Sequence, residues 1–125
     1  MRVVLDAGAL VAVDRADRRV GAMLRVLEQR RIPLSTSAAV VAQVWRNGSR
    51  QALLAKVLQG VAVRALGVGD DRSIGELLAA TRTSDVVDGH VALLAGDGDV
   101  VMTSDPSDLR KLLDARRVDA LVMKA

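Results

Sequence analysis

Two aspartates of the 125-residue chain stand where a strand-forming stretch meets a helix-forming one, and a third opens a helix. Asp6 ends the apolar run Val3-Val4-Leu5, and Asp105 follows Val100-Val101-Met102-Thr103 after a single serine. Asp88 lies in Ser84-Asp85-Val86-Val87-Asp88, which opens the helix leading into the second of those runs. Two such runs in the centre of a parallel sheet send their carboxylates to one edge, where open α/β sheets form ligand crevices. The helix that feeds the second run begins near the same edge, so three acids converge from three separate elements. Like charges in a poorly solvated cleft repel by several kcal/mol unless a cation lies between them. The chain has no cysteine and one histidine, His90. Thiolate zinc sites, disulfides and cysteine nucleophiles are therefore excluded, and hard carboxylate oxygens remain as ligands. Such oxygens select Mg2+, with Mn2+ as its substitute. A cation so held orients a water for in-line attack on a phosphodiester and neutralises the charge that develops.

The same acids also have a plain structural use. Asp6 suits the N-cap of a helix starting at Ala7. Asp105-Pro106-Ser107-Asp108 suits a helix start, with proline at the first helical position. Asp85 and Asp88 are favoured in a first turn by the helix dipole, and at three apart they share a face. One carboxylate cannot both cap fully and ligate fully, so Asp105 and Asp108 are expected to divide those roles.

The elements that must position these residues alternate along the chain. Apolar runs predict strands at 3–5, 32–36, 61–66, 99–103 and 118–123. Helical spacing and caps predict helices at 7–15, 18–30 with Asp17 as N-cap, 37–47 from Ser37, 49–59, 70–82, 85–95 and 105–113. With no repeat and no linker, residues 1–125 read as one α/β domain, a three-layer sandwich around a mainly parallel central sheet. Half the residues are apolar and only Trp45 is aromatic, so the core must be Leu, Val, Ala and Met. Base stacking on aromatic platforms is not available to it. No apolar run reaches membrane-spanning length and Met1 leads straight into a strand, so a cytoplasmic protein with no membrane association is expected. Residues 1–64 carry eleven Lys/Arg against four Asp/Glu, and residues 65–125 carry seven against eleven. A basic half beside an acidic half suits an anionic polymer meeting a carboxylate-held cation. Arg15 and Arg46 are candidate phosphate contacts, with Arg18, Arg19 and Arg50 beside them.

Taken in order, Leu5-Asp6-Ala7-Gly8-Ala9-Leu10, Ala42-Gln43-Val44-Trp45-Arg46, Asp85-Val86-Val87-Asp88 and Val101-Met102-Thr103-Ser104-Asp105 resemble a PIN-domain nuclease, in particular the VapC-type toxins of toxin–antitoxin pairs. The resemblance spans essentially the whole chain. It implies a PIN-like fold, magnesium-dependent endoribonuclease activity on RNA, a cognate antitoxin and a homodimer. It places Asp6, Asp88 and Asp105 at the metal site, with Thr103 as the hydroxyl beside the last of them.

Two positions depart from the family pattern. Gln43 stands where the family has Glu, and Gly8 where it often has Ser or Thr; Asp85 or Asp108 would compensate. An alternative is therefore a PIN-like module that binds RNA or protein with weakened catalysis. An aspartyl phosphatase resembles Asp-x-Asp at the first strand, and Gly8 takes the second acid's place. His90, two residues past Asp88, is expected at the surface or an interface. Trp45 is expected either to anchor a partner or to be partly buried in the core.

Overall fold

The computed structural model describes residues 1–125. Five short strands, β1 (Val3–Leu5), β2 (Leu34–Ser37), β3 (Val61–Arg64), β4 (Val100–Thr103) and β5 (Leu121–Lys124), make one sheet in the order β3-β2-β1-β4-β5. Every neighbouring pair is parallel. Helices α1 (Ala7–Asp14), α2 (Arg18–Gln29), α3 (Ala38–Val44), α4 (Ala52–Leu58), α5 (Asp70–Thr81), α6 (Val86–Leu94) and α7 (Pro106–Ala115) connect the strands. The expected α/β architecture is thus observed, and its sheet is wholly parallel.

Burial explains the strand order. Every residue of β1 and β4 is buried, as suits central strands covered on both faces. β3 and β5 close the sheet at its edges and are largely exposed. From β1 the chain winds outward through β2 and β3, then returns to β4 and β5 on the other side. The direction reverses between β1 and β4, and crevices form beyond the carboxyl ends of strands at such a point. The register pairs Leu5 with Met102, which brings Asp6 level with Thr103.

The core is aliphatic, as the composition requires. Val4, Leu5, Val101 and Met102 of the sheet are sealed by Leu10, Val20, Val91, Leu109 and Leu113 of the helices. Burying each such side chain contributes about 1.5–3 kcal/mol. No helix is long and apolar enough to cross a membrane.

Several helix starts carry side-chain caps. Asp17 accepts from Val20 N–H, Ser37 from Ala39 N–H and Asp85 from Asp88 N–H. Helix ends are less regular. α1, α2, α5 and α7 run into Ala16, Arg31, Arg82 and Arg117, all left-handed at φ 55–56°. The N–H after each reaches back five residues, from Asp17 to Ala12, Ile32 to Leu27, Thr83 to Leu78 and Val118 to Leu113. This is the closing bond of a Schellman turn, usually built on glycine. The turn also corrects two strand boundaries: Ile32 and Val118 still belong to helix endings, so β2 starts at Leu34 and β5 at Leu121.

The 37–47 helix is shorter than expected and the 49–59 helix starts later. Gln51 is the reason. Its buried carbonyl oxygen accepts from Arg46 and Asn47 N–H, while its amide donates to Val44 O and Asp14 Oδ2. The side chain takes over the donors and the carbonyl that a continuing helix would have paired.

Left-handed backbone is strained for any side chain and free for glycine. Ala16→Gly is therefore expected to raise stability by about 0.5–1 kcal/mol, read as a higher urea midpoint at unchanged slope.

Candidate functional site

Asp6 occupies the junction of β1 and α1 and is 6% exposed. It caps α1, its Oδ1 accepting from Ala7 N–H at 2.8 Å. Its Oδ2 accepts from the Thr103 hydroxyl at 2.8 Å, and its backbone N–H continues the β1–β4 ladder to Met102 O. Capping thus uses one oxygen and leaves the other facing β4. Thr103 is fully buried, and its Oγ1 also accepts from Asp105 N–H at 3.0 Å. A continuous chain of hydrogen bonds runs from Asp105 through Thr103 to Asp6.

Asp105 holds the N-cap position of α7, yet its carboxylate makes no capping bond. Ser107 Oγ donates to its Oδ1 at 3.3 Å. A hydrogen bond with Asp105, and then the Asp105 charge, raise the pKa of exposed Asp108. Neither residue caps the helix, so the expected division between them does not occur. Pro106 instead removes one of the donors that would need a cap.

At the start of α6 the roles do divide: Asp85 is the cap, and Asp88 is free. Asp88 is pushed up to about 7. Partial burial is the largest cause, followed by the negative charges of Asp6, Asp85, Asp108 and Asp105. Asp6 and Asp105 thus both act on the Asp88 carboxylate. A cleft of about 250 Å³ between the starts of α6 and α7 is lined by Thr83, Ser84, Asp85, Asp88, Asp108 and Leu112.

The donors fit a hard divalent cation in kind: carboxylates and hydroxyls, with surplus negative charge. They do not form a ready cage, since no three His, Cys, Asp or Glu side chains are grouped to hold an ion. The fit is one of charge and donor chemistry. Gln43 stands exposed on α3. Arg15 is exposed at the far end of α1, about 13 Å along the helix from Asp6. The Arg46 guanidinium turns back onto Ala42 O and Trp45 O. Arg19 likewise donates to Lys124 O. The Trp45 ring is 38% exposed, so it does not serve as core.

His90 corrects the expectation of a surface residue, for it is 1% exposed. Ser37 Oγ accepts from Ala39 N–H and shares a second hydrogen bond, of 2.6 Å, with His90 Nδ1. That bond ties α6 to the end of β2 and so fixes the helix that carries Asp88. Burial lowers the His90 pKa, against the raising influence of Asp70. The signal in the sequence was position: His90 falls on the helical stripe Val87, His90, Val91, Leu94.

No family model and no curated protein matches the chain by sequence. Among solved structures, the crystal structure of VapBC2 from Rickettsia felis bound to a DNA fragment from their promoter is similar, with a TM-score of 0.70. The match covers 100% of this chain and 99% of that chain at 13% identity. The shared property is the fold, a PIN-like α/β architecture.

Folding raises the Asp88 pKa, so between about pH 4 and pH 7 the native state keeps a proton that the unfolded chain has lost. Stability from this group is lost as pH rises through that window. His90 acts oppositely: its lowered pKa means stability is lost as pH falls below its ordinary value of 6.5. Asp88→Asn is therefore expected to raise the melting temperature by a few degrees at pH 8. The gain should shrink toward pH 4, as followed by circular dichroism.

Proposed function

We propose that the chain is a divalent-cation-dependent endoribonuclease of toxin–antitoxin type. The observation that carries this reading is the Asp88 carboxylate, whose pKa is raised first by partial burial and then by four neighbouring aspartates. Asp6, Asp88 and Asp105 would hold the cation, Mg2+ or Mn2+. The cation would supply Lewis acidity and an activated water for phosphodiester hydrolysis. The chain's own contribution is positioning. Thr103 orients Asp6 and the Asp105 backbone together, and the capping bond to Asp85 fixes the turn bearing Asp88.

The full-length likeness in fold to a VapBC complex supports an antitoxin as partner. So does a groove of about 820 Å³ between α2 and α4, where Leu24, Leu53 and Val57 are rimmed by Arg18, Arg25 and Lys56. An amphipathic antitoxin segment with acidic flanks fits it. A homodimer and a cytoplasmic location belong to the same reading.

The absence of a closed carboxylate cage favours a second reading, a PIN-like module that binds RNA or protein without cleaving it. Cleavage of single-stranded RNA decides between them. The first reading predicts magnesium-dependent cleavage, abolished by Asp6→Asn, Asp88→Asn or Asp105→Asn with the fold retained. Normal cleavage by Asp6→Asn would show that Asp6 is only a cap. Gln43 adds a graded test, because a neutral amide leaves the site one negative charge short of the family pattern. Gln43→Glu is expected to lower the magnesium concentration for half-maximal activity, and identical titration curves would separate Gln43 from the cation.

A further inference from the structure

Gly8 lies in the first turn of α1, where glycine is a poor helix former. Its φ is not positive, so the backbone does not require it. Space does. A Cβ at residue 8 would sit 2.5 Å from Ser104 Oγ and 2.7 Å from the Ser104 backbone nitrogen. Contacts that short are forbidden, and one of the two atoms is backbone that cannot swing aside. The turn between β4 and α7 is pressed onto α1, and the Ser104 side chain fills the room that a residue-8 side chain would take.

That room adjoins the carboxylates. Ser104 is exposed between Thr103, which bonds Asp6, and Asp105 itself. The neighbouring hydroxyls are committed: Thr103 to Asp6, Thr36 to Leu5 O, Ser37 to His90, Thr83 to Thr81 and Ser107 to Asp105. Ser84 and Ser104 remain free. Ser84 lines the cleft between the starts of α6 and α7, whereas Ser104 is wedged against Gly8 beside Thr103 and Asp105.

We propose that Ser104 is a substrate-binding residue, its hydroxyl donating to a phosphate oxygen of the RNA strand beside the Asp105–Thr103–Asp6 chain of hydrogen bonds. This rests on the nuclease reading above. The chemistry is specific to the place. Clustered carboxylates repel a phosphodiester, and Arg15 on the same helix sits at its other end. A neutral O–H holds a phosphate oxygen without pairing with the carboxylates and drawing them away from a cation.

The test uses a fluorescent single-stranded oligoribonucleotide, titrated without magnesium to read Kd and with magnesium to read KM and kcat. Ser104→Ala is expected to raise Kd and KM about five- to tenfold, the size of one lost neutral hydrogen bond. Its kcat and melting temperature should hold, because the hydroxyl has no partner within the protein. Gly8→Ala should lower the melting temperature, and Ser104→Gly added to it should restore only part of the loss, because the backbone nitrogen of residue 104 stays in place. Wild-type Kd and KM in Ser104→Ala overturn the proposal, as does a rise in KM accompanied by a matching fall in melting temperature. Wild-type protein that neither binds nor cleaves the RNA overturns the nuclease reading, and this inference with it.

Discussion

A carboxylate at the end of the central strand, almost wholly removed from water, is the constraint on which the arrangement depends. An unpaired buried charge of this kind would cost several kcal/mol. Asp6 avoids that penalty with the Ala7 N–H and the Thr103 hydroxyl, the second drawn from 97 residues away in sequence. The Thr103 bond can form only if β4 lies beside β1 in the observed register. The bond is therefore both a product of the sheet order and a clamp on it. Because Thr103 Oγ1 also receives the Asp105 N–H, the same atom sets where α7 begins and where the Asp105 carboxylate starts out.

Around this point the chain tolerates repulsion that a purely structural protein would remove. Asp88 keeps its proton up to about pH 7, because partial burial and the four neighbouring aspartates disfavour its charge. The helix is held from outside. Ser37 grips His90 from β2, and Arg116 donates to Ala92 O and Ala95 O at the other end. These bonds hold the middle and the end of α6.

Most element bounds were legible because they are local. Val3-Val4-Leu5 and Val100-Val101-Met102 carry their burial in their composition, and Asp17 and Ser37 are caps by chemistry. The starts of β2, β5 and α4 were not, because Arg31 and Arg117 close the preceding helices in a conformation that sequence associates with glycine and Gln51 holds the turn before α4. Gln51 and His90 were missed for a related reason. A polar side chain is buried only when its partners arrive from elsewhere, and Val44, Asp14 and Ser37 are distant or unremarkable in the sequence. At the site, the placement of Asp6 and Asp105 after adjacent central strands followed from topology alone. Their spacing did not, since it depends on how Asp105 leaves α7 uncapped and how Ser104 settles on Gly8.

The central claim is that Asp6, Asp88 and Asp105 serve one divalent cation. Crystals of the protein soaked in manganese chloride, with anomalous diffraction collected near the manganese edge, locate any bound ion directly. The account predicts a single strong peak between these three side chains, with the carboxylates drawn to within ligand distance of it. A manganese-soaked crystal with no peak there, or with its only peak elsewhere on the acidic surface, would contradict the account.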